Sequence, residues 1–305
     1  ITASWCDVEY VIKEEKAYMN SFEYIGDAVM HINPNLGPDL FGATFGADLI
    51  FEKTTSYSVP FIEDWTEKLE FQPENQWWKK IKEITNAFVE DSQGEYLVGI
   101  TDLHPGSDGL VSLRGPQNMC FDVYDQPEVF KNAEKILLPV FKTQFNDLYA
   151  MTQKYQQGTI NWMGLYKEGP WYPVSCDFSC MVSHEDFKKL ILPEIRQETE
   201  ILNGNAIFHL DGPDALKHLD SLLEIPNLAG IQWVYGAGQP SAKYWIDVLK
   251  KIQNAGKIIN IGLKAEDIDV VFSELKAQGL SCYFDFDYTA EEAKEILQKI
   301  NRYYK

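Results

Sequence analysis

The chain has 305 residues, of which 45% are hydrophobic and 24% charged, a balance typical of a globular protein large enough for one α/β domain of barrel size. Its 27 Lys and Arg residues against 46 Asp and Glu residues leave a net charge of -19, which argues against a surface for duplex nucleic acid or an anionic membrane. No apolar run approaches the roughly 20 residues of a membrane helix, and no signal-peptide pattern is visible. We therefore expect one domain over residues 1–305 that acts on a small substrate or binds a protein partner.

The first part of the chain contains a helix, a strand and then an irregular insert over residues 33–58. Residues 7–25 have helical spacing, and a strand signal follows at 27–32. Residues 33–46 are rich in Gly, Pro and Asn, which is typical of loops, and 48–58 has the pattern of a hairpin or irregular edge.

A second group of elements follows this insert. Residues 77–90 have a helical pattern that leads into a strand at 96–101. Residues 127–157 form a long helical pattern, which we expect Pro139 to split. A third strand is predicted at 159–163, and an aromatic loop follows it. A capped helix is then predicted to begin near Ser183.

Four units of a strand followed by a helix complete the chain. The strands are 206–210, 230–234, 257–262 and 280–286, and the helices that follow them are 214–223, 241–254, 265–277 and 290–303. This alternation indicates a parallel sheet. The pattern contains seven strands in all, and an eighth upstream of Ile1 would complete a (β/α)8 TIM-type barrel. The alternative is an open doubly wound sheet, although no glycine-rich phosphate loop follows any strand.

Polar side chains follow several of these strands, where a barrel gathers them at one mouth. They are Asp102 and His104, Cys176 and Asp177, His209 and Asp211, Gln232, and Cys282 with Asp285. His209 and Asp211 are two residues apart, so they point to the same side of a strand. We expect Asp102, His104, Asp177 and Asp211 to be the catalytic candidates.

Two kinds of chemistry are open to this group. His209, Asp211 and a distant cysteine, Cys282, would suit zinc, with Cys176 as a reserve ligand. Alternatively, an aspartate beside a histidine can position or accept a proton with no metal at all.

Aromatic residues cluster near the predicted strand ends. They include Trp162, Trp171, Tyr172 and Trp233, and we expect them to line a ligand site, where they can stack on a ring or hold a methylammonium group. Gln232 and Arg114 are further substrate-binding candidates, because Gln232 lies in a predicted strand and Arg114 lies in a loop able to face the mouth.

Five cysteines are too few and too irregularly spaced for a disulfide scaffold. Reduced thiols and a cytoplasmic location are therefore expected. The chain starts at Ile1 without a methionine, so we also expect an upstream piece to be missing.

The order of several segments resembles the uroporphyrinogen decarboxylase-like superfamily. These segments are GITDLHPGSDGLVSLRGPQNMCFDVYDQPEVF, the strand ending in Trp162, SCDFSCMVSHEDFKKLILPEI, AIFHLDGPDALKHLD, and the last strand with TAEEAKEIL. The superfamily includes the decarboxylase itself and the corrinoid-dependent methyltransferases, and its members are (β/α)8 barrels. The resemblance therefore implies a barrel over the single domain.

The resemblance is closest to the methyltransferase branch, in which the strand ending here in His209 reads His-x-Cys-Gly and supplies zinc ligands. This chain has His209 and Gly212 but carries Asp211 in place of the cysteine, and Cys282 in the last strand matches a third ligand. The resemblance implies zinc at His209, Asp211 and Cys282. It also implies methyl transfer between a small methylated substrate and a corrinoid (cobalamin) partner protein. An aspartate makes such a site less thiophilic, which favours an ether or amine substrate.

Two other functions stay open. The decarboxylase branch holds its substrate carboxylates with arginines, whereas this chain has only Arg114, Arg196 and Arg302. The third function is that of a binding protein, in which the barrel holds a small aromatic or sugar ligand without catalysing a reaction. The replacement of the family cysteine by Asp211 supports this function.

Overall fold

The structure is a computed structural model that describes residues 2–66, 68–284 and 287–304. Its strands lie at His31–Ile32 (β1), Asp48–Phe51 (β2), Ser56–Val59 (β3), Leu97–Val98 (β4), Tyr172–Ser175 (β5), Ala206–Asp211 (β6), Gly230–Val234 (β7), Ile258–Leu263 (β8) and Leu280–Phe284 (β9). β5 to β9 form a parallel sheet in chain order. β1 pairs with β4 in parallel, and β2 with β3 forms an antiparallel hairpin.

Helices cover these strands. They are Thr2–Cys6 (α1), Val8–Met19 (α2), Leu40–Ala43 (α3), Gln76–Ser92 (α4), Gly106–Arg114 (α5), Pro116–Asp125 (α6), Glu128–Thr152 (α7), His184–Asp186 (α8), Leu192–Ile201 (α9), Leu219–Leu223 (α10), Ile246–Asn254 (α11), Ile268–Glu274 (α12) and Ala290–Ile300 (α13). Short 3₁₀ helices lie at Asp177–Met181, Pro213–His218, Ala242–Trp245 and Ala265–Asp267, and a π-helical turn at Phe187–Ile191 joins α8 to α9. The fold is therefore a mixed α/β architecture built on a parallel sheet.

Local sequence explains where the main elements begin. The Asn75 side chain accepts hydrogen bonds from the first turn of α4, and the Ser183 hydroxyl accepts one from the Asp186 N–H at the start of α8. β7 and β8 are apolar along most of their length because both faces of the sheet are covered. Gln232 and Asn260 are the polar residues within these two strands.

Most of the predicted elements are confirmed, and three predictions are wrong. Pro139 does not split its helix, because α7 runs through it without a break. The predicted strand at 159–163 is reduced to isolated bridges, one of which joins Ile100 to Asn161 in parallel. The aromatic loop contains a strand, β5, that the sequence pattern did not indicate, because Pro173 lies within its four residues.

The structure also contains helices α1, α5 and α6, for which no prediction was made, and one short helix, α3, lies within the loop predicted at 33–46. Among the described residues, no helix combines the length and the apolar character needed to cross a bilayer.

Candidate functional site

A row of polar side chains crosses the parallel sheet at one level. Its members are in register on neighbouring strands and are Ser175, His209, Gln232, Asn260 and Ser281. In-register residues of a parallel sheet face the same side, so the sheet presents one continuous polar stripe. This stripe forms the floor of the candidate site.

Hydrogen bonds connect four members of the stripe. His209 Nδ1 lies 2.5 Å from Gln232 Oε1, Gln232 Nε2 lies 2.7 Å from Asn260 Oδ1, and Asn260 Nδ2 lies 3.2 Å from the Ser281 hydroxyl oxygen. The Trp162 ring meets the His209 ring edge to face, with centroids 5.1 Å apart. His209 is therefore fixed on one side by an amide and on another by an indole.

Asp102 and His104 lie beside this stripe, after β4. Ser175 of the stripe shares a 2.7 Å hydrogen bond with His104 Nδ1, and His104 Nε2 lies 3.7 Å from Asp102 Oδ1. Burial raises the pKa of the Asp102 carboxyl, and the nearby Asp177 also raises it, while His104, His209 and Trp162 act in the opposite direction. The structure thus brings together six of the residues that the sequence singled out, Asp102, His104, Trp162, Asp177, His209 and Gln232.

A pocket of about 290 Å³ opens next to His104. Asp108 and Asp177 lie in its wall, together with the apolar side chains of Phe178 and Met181. The Asp108 carboxylate accepts hydrogen bonds from the backbone N–H groups of Asp177 (2.9 Å) and Phe178 (3.0 Å), so it caps the turn that forms this wall. The pocket gives a small ligand access to His104.

Asp211 is the last residue of β6 and lies exposed on the same face as His209, two positions further along the strand. Asp177 is also exposed, at the start of the turn that borders the pocket. Both carboxylates therefore lie at the carboxyl edge of the sheet, above the polar stripe.

Three of the predicted aromatic ligand contacts lie elsewhere. Tyr172 is fully buried, and its hydroxyl donates to the Thr101 carbonyl and accepts from the Leu103 N–H. Trp171 precedes β5 at the amino edge of the sheet, where its indole N–H donates to the Thr159 carbonyl. Trp233 is in register with Ile261, on the face opposite to the stripe, and packs against Trp245. Trp162 alone of these four predicted aromatic contacts lies against the described site.

Arg114 is a structural residue in this fold. Its guanidinium forms a mostly buried ion pair with Asp122 at 2.9 Å and also donates to the carbonyls of Ile62 and Glu63. These contacts tie the end of α5 to α6 and to the segment after the β2–β3 hairpin. The prediction that Arg114 binds substrate is therefore not supported.

The predicted zinc ligands do not converge. Ser281 faces His209 across the stripe, so the next residue, Cys282, points to the opposite face of the sheet. Burial raises the pKa of the Cys282 thiol to about 12, which disfavours the thiolate that zinc requires. Within residues 2–66, 68–284 and 287–304, no three His, Cys, Asp or Glu side chains are grouped as metal ligands. His209, Asp211 and Cys282 therefore do not fit a common zinc site.

The two remaining candidates add no ligand. Cys176 is buried beneath the pocket wall, and burial together with nearby carboxylates raises the pKa of its thiol well above the usual value. Asp285 lies outside the described residues.

Behind the pocket lies a group of buried carboxyls that sequence reasoning missed. Glu194 of α9 accepts hydrogen bonds from the Ser107 backbone N–H (3.1 Å and 3.2 Å) and from its hydroxyl, and it therefore anchors the start of α5. Glu198 and Glu134 lie close to it. Burial, together with repulsion from Glu194, raises the pKa of Glu198 well above its usual value, and burial raises the pKa of Glu134 to about 7. Helix periodicity gave one signal for Glu194 and Glu198, because residues four apart share a helix face.

Sequence reasoning also missed Ser175, Asn260, Ser281 and Asp108. For Asn260 a signal existed, because an amide inside an apolar strand needs a buried partner. Ser175 and Ser281 carry no comparable signal, since a single serine is common in any strand or loop.

Comparisons with known proteins identify the fold and no family. No protein-family model matches the sequence, and no curated protein matches it either. Fourteen chains of known structure match the fold. One of them is a methyltransferase from Methanosarcina mazei, with a TM-score of 0.62 and 10% sequence identity over 98% of this chain and 86% of that chain. The chain therefore has a methyltransferase-like fold, and at this identity the similarity concerns the fold alone.

Proposed function

We propose that the protein transfers a methyl group between a small methylated substrate and the cobalt of a corrinoid held by a separate partner protein. The observation that carries this proposal is the Asp102 carboxyl, which is recessed beside His104 and Trp162 and has a raised pKa. The likeness of the fold to a methyltransferase supports the same reaction class.

Asp102 has the properties of a general acid. Burial favours its neutral form, so it can hold a proton at a pH where an exposed carboxyl has lost it. When the bond between a heteroatom and a methyl carbon breaks, the heteroatom keeps the electron pair and takes the Asp102 proton. The corrinoid supplies the electron pair that forms the new bond to the methyl carbon. Protonation of this kind lets an ether oxygen leave as a hydroxyl group, or a thioether sulfur leave as a thiol, without a metal ion.

The neighbouring side chains orient the substrate and the acid. His104, held by Ser175, lies on one side of Asp102, and the indole of Trp162 forms a flat apolar wall near His209. Such a wall holds an aromatic or methylated group by stacking or dispersion. The pocket beside His104 provides the entrance.

We also propose membership of the uroporphyrinogen decarboxylase-like superfamily and closure of the parallel strands into a (β/α)8 barrel. Two parallel contacts support closure, because β1 pairs with β4 and the chain beyond β4 bridges to Asn161. β1, β4 and the segment at Asn161, together with the five strands β5 to β9, make eight parallel segments. Five free cysteines support a reducing compartment, which we propose to be the cytoplasm.

The decisive experiment incubates the protein with cob(I)alamin and a panel of phenyl methyl ethers, methylamines and methyl thioethers, and follows methylcobalamin by its absorbance. Wild type is expected to methylate cobalamin from one donor class, and Asp102→Asn is expected to lose this activity. Asp147→Asn, an exposed substitution on α7, is the matched control and is expected to match wild type. Decarboxylation of uroporphyrinogen without methyl transfer from any donor would refute the proposal.

A further inference from the structure

The polar stripe across the sheet has a direction. Ser281 accepts a hydrogen bond from the Asn260 side-chain N–H, and Asn260 accepts one from the Gln232 side-chain N–H through its carbonyl oxygen. Gln232 therefore presents its own carbonyl oxygen to His209, at 2.5 Å from Nδ1. Because a carbonyl oxygen only accepts, the nitrogen that faces it has to carry the proton.

Because the two amides are buried, reversing the direction of these hydrogen bonds is energetically unfavourable. Gln232 and Asn260 are 4% and 1% exposed, so water does not replace a lost partner of either amide. A buried amide group without a hydrogen-bond partner is destabilising, and hydrogen bonds joined in a chain of this kind also strengthen one another. The orientation of Asn260 therefore constrains that of Gln232, which lies between Asn260 and His209 in the stripe.

We propose that Gln232 and Asn260 are positioning residues that hold His209 in the tautomer with its proton on Nδ1. His209 Nε2 then carries the lone pair, and it makes no hydrogen bond to any other residue that the structure describes. In this state Nε2 is an acceptor for an N–H or O–H group of a ligand, or a base. The inference does not rest on methyl transfer, since it concerns the resting protein.

The test is nitrogen NMR of protein labelled with ¹⁵N in its five histidines, with His209 assigned by His209→Gln. Two-bond correlations to the ring protons show which nitrogen carries the proton. At a pH where His209 is neutral, we expect a single tautomer with the proton on Nδ1. A neutral His209 with its proton on Nε2 would mean that both amides have the reverse orientation, and this result overturns the proposal.

The second arm changes Asn260, which makes no direct contact with His209. In Asn260→Leu the Gln232 amide loses its acceptor, so we expect His209 to change from one tautomer to a mixture. Asn260→Asp keeps an oxygen that accepts from Gln232 in either protonation state, so this variant is expected to retain the wild-type tautomer. Ile261→Val is the control, because Ile261 is the next residue of β8 and faces the opposite side of the sheet.

The outcomes separate positioning from general damage to the sheet. A change in the His209 tautomer in Asn260→Leu, without such a change in Asn260→Asp or Ile261→Val, supports the proposal. An unchanged tautomer in folded Asn260→Leu overturns it. If Asn260→Leu does not fold, Ser281→Ala removes the far end of the same row, and a greater share of the Nε2-protonated form is then the expected result. An unchanged tautomer in that variant overturns the proposal as well.

Discussion

The Tyr172 phenol holds the backbone on both sides of Asp102. Its hydroxyl donates to the Thr101 carbonyl at 2.7 Å and accepts from the Leu103 N–H at 2.6 Å, and the ring is fully buried between Phe141 and Phe145. Asp102 lies in a segment without regular secondary structure, so its position depends on such contacts. Tyr172 therefore positions the proposed acid, Asp102, from within the core through the backbone of Thr101 and Leu103, and it is not a substrate contact.

Tyr172→Phe tests this relationship. The substitution removes the hydroxyl and leaves the Leu103 N–H and the Thr101 carbonyl unpaired in the core, so we expect the free energy of unfolding to fall by about 1–3 kcal/mol. A small displacement of Asp102 is expected to lower kcat for methyl transfer roughly 10- to 100-fold with a smaller change in KM. Urea unfolding and steady-state kinetics measure the two effects. Wild-type kcat in the folded variant would contradict the positioning role.

Asp102→Asn tests the acid itself. An amide cannot release the proton that the leaving heteroatom needs, so we expect methyl transfer to fall by about 10²- to 10⁴-fold while the protein stays folded. In wild type the protonated carboxyl is the active form and its pKa is raised, so activity should be present at low pH and decline as pH rises through that pKa. A pH–rate profile checks this direction. Activity that rises with pH over the same range would exclude Asp102 as the acid.

Arg114→Ala tests whether this arginine is structural. Its ion pair with Asp122 is mostly buried, at 11% and 3% side-chain exposure, so removing one partner leaves an uncompensated carboxylate. We expect the free energy of unfolding at pH 7 to fall by about 3–5 kcal/mol. Arg114→Lys should recover only part of this loss, because an ammonium does not reproduce the two-pronged contact. Denaturant titrations give the measurement, with exposed Lys142→Ala as the control.

The buried carboxyls of α7 and α9 predict a pH dependence of stability. Burial raises the pKa of Glu134 from its usual 4.5 to about 7, so the folded state binds this proton more tightly than the unfolded state. Its contribution is complete below pH 4.5 and is lost as pH rises toward 7. At 1.36 kcal/mol per pKa unit, the loss is at most about 3 kcal/mol.

Glu134→Gln isolates this effect. The variant should lose the part of the pH dependence that Glu134 causes, so its stability should decline less than that of wild type between pH 4.5 and 7. Asp147→Asn, exposed on the same helix, should retain the wild-type slope. Identical slopes for wild type and Glu134→Gln would show that Glu134 keeps an ordinary pKa in the folded protein.

The sequence by itself determined the order of most strands and helices and several polar residues at strand ends. Apolar runs that end in a polar residue and a turn identified β6 with His209, and the same pattern identified Asp102 and His104 after β4. These predictions succeeded because strand ends and turns depend on neighbours in the chain, through side-chain alternation and the conformations of Gly and Pro.

The tertiary structure alone decided which of these residues share a site. Strand register placed Gln232 and Asn260 beside His209 and turned Cys282 to the opposite face, and a shift of one residue would have reversed that result. Burial decided that Tyr172 supports Asp102 from below and that Arg114 is engaged by Asp122. Register and burial arise from contacts between residues far apart in the chain, and no local pattern in this sequence specifies them.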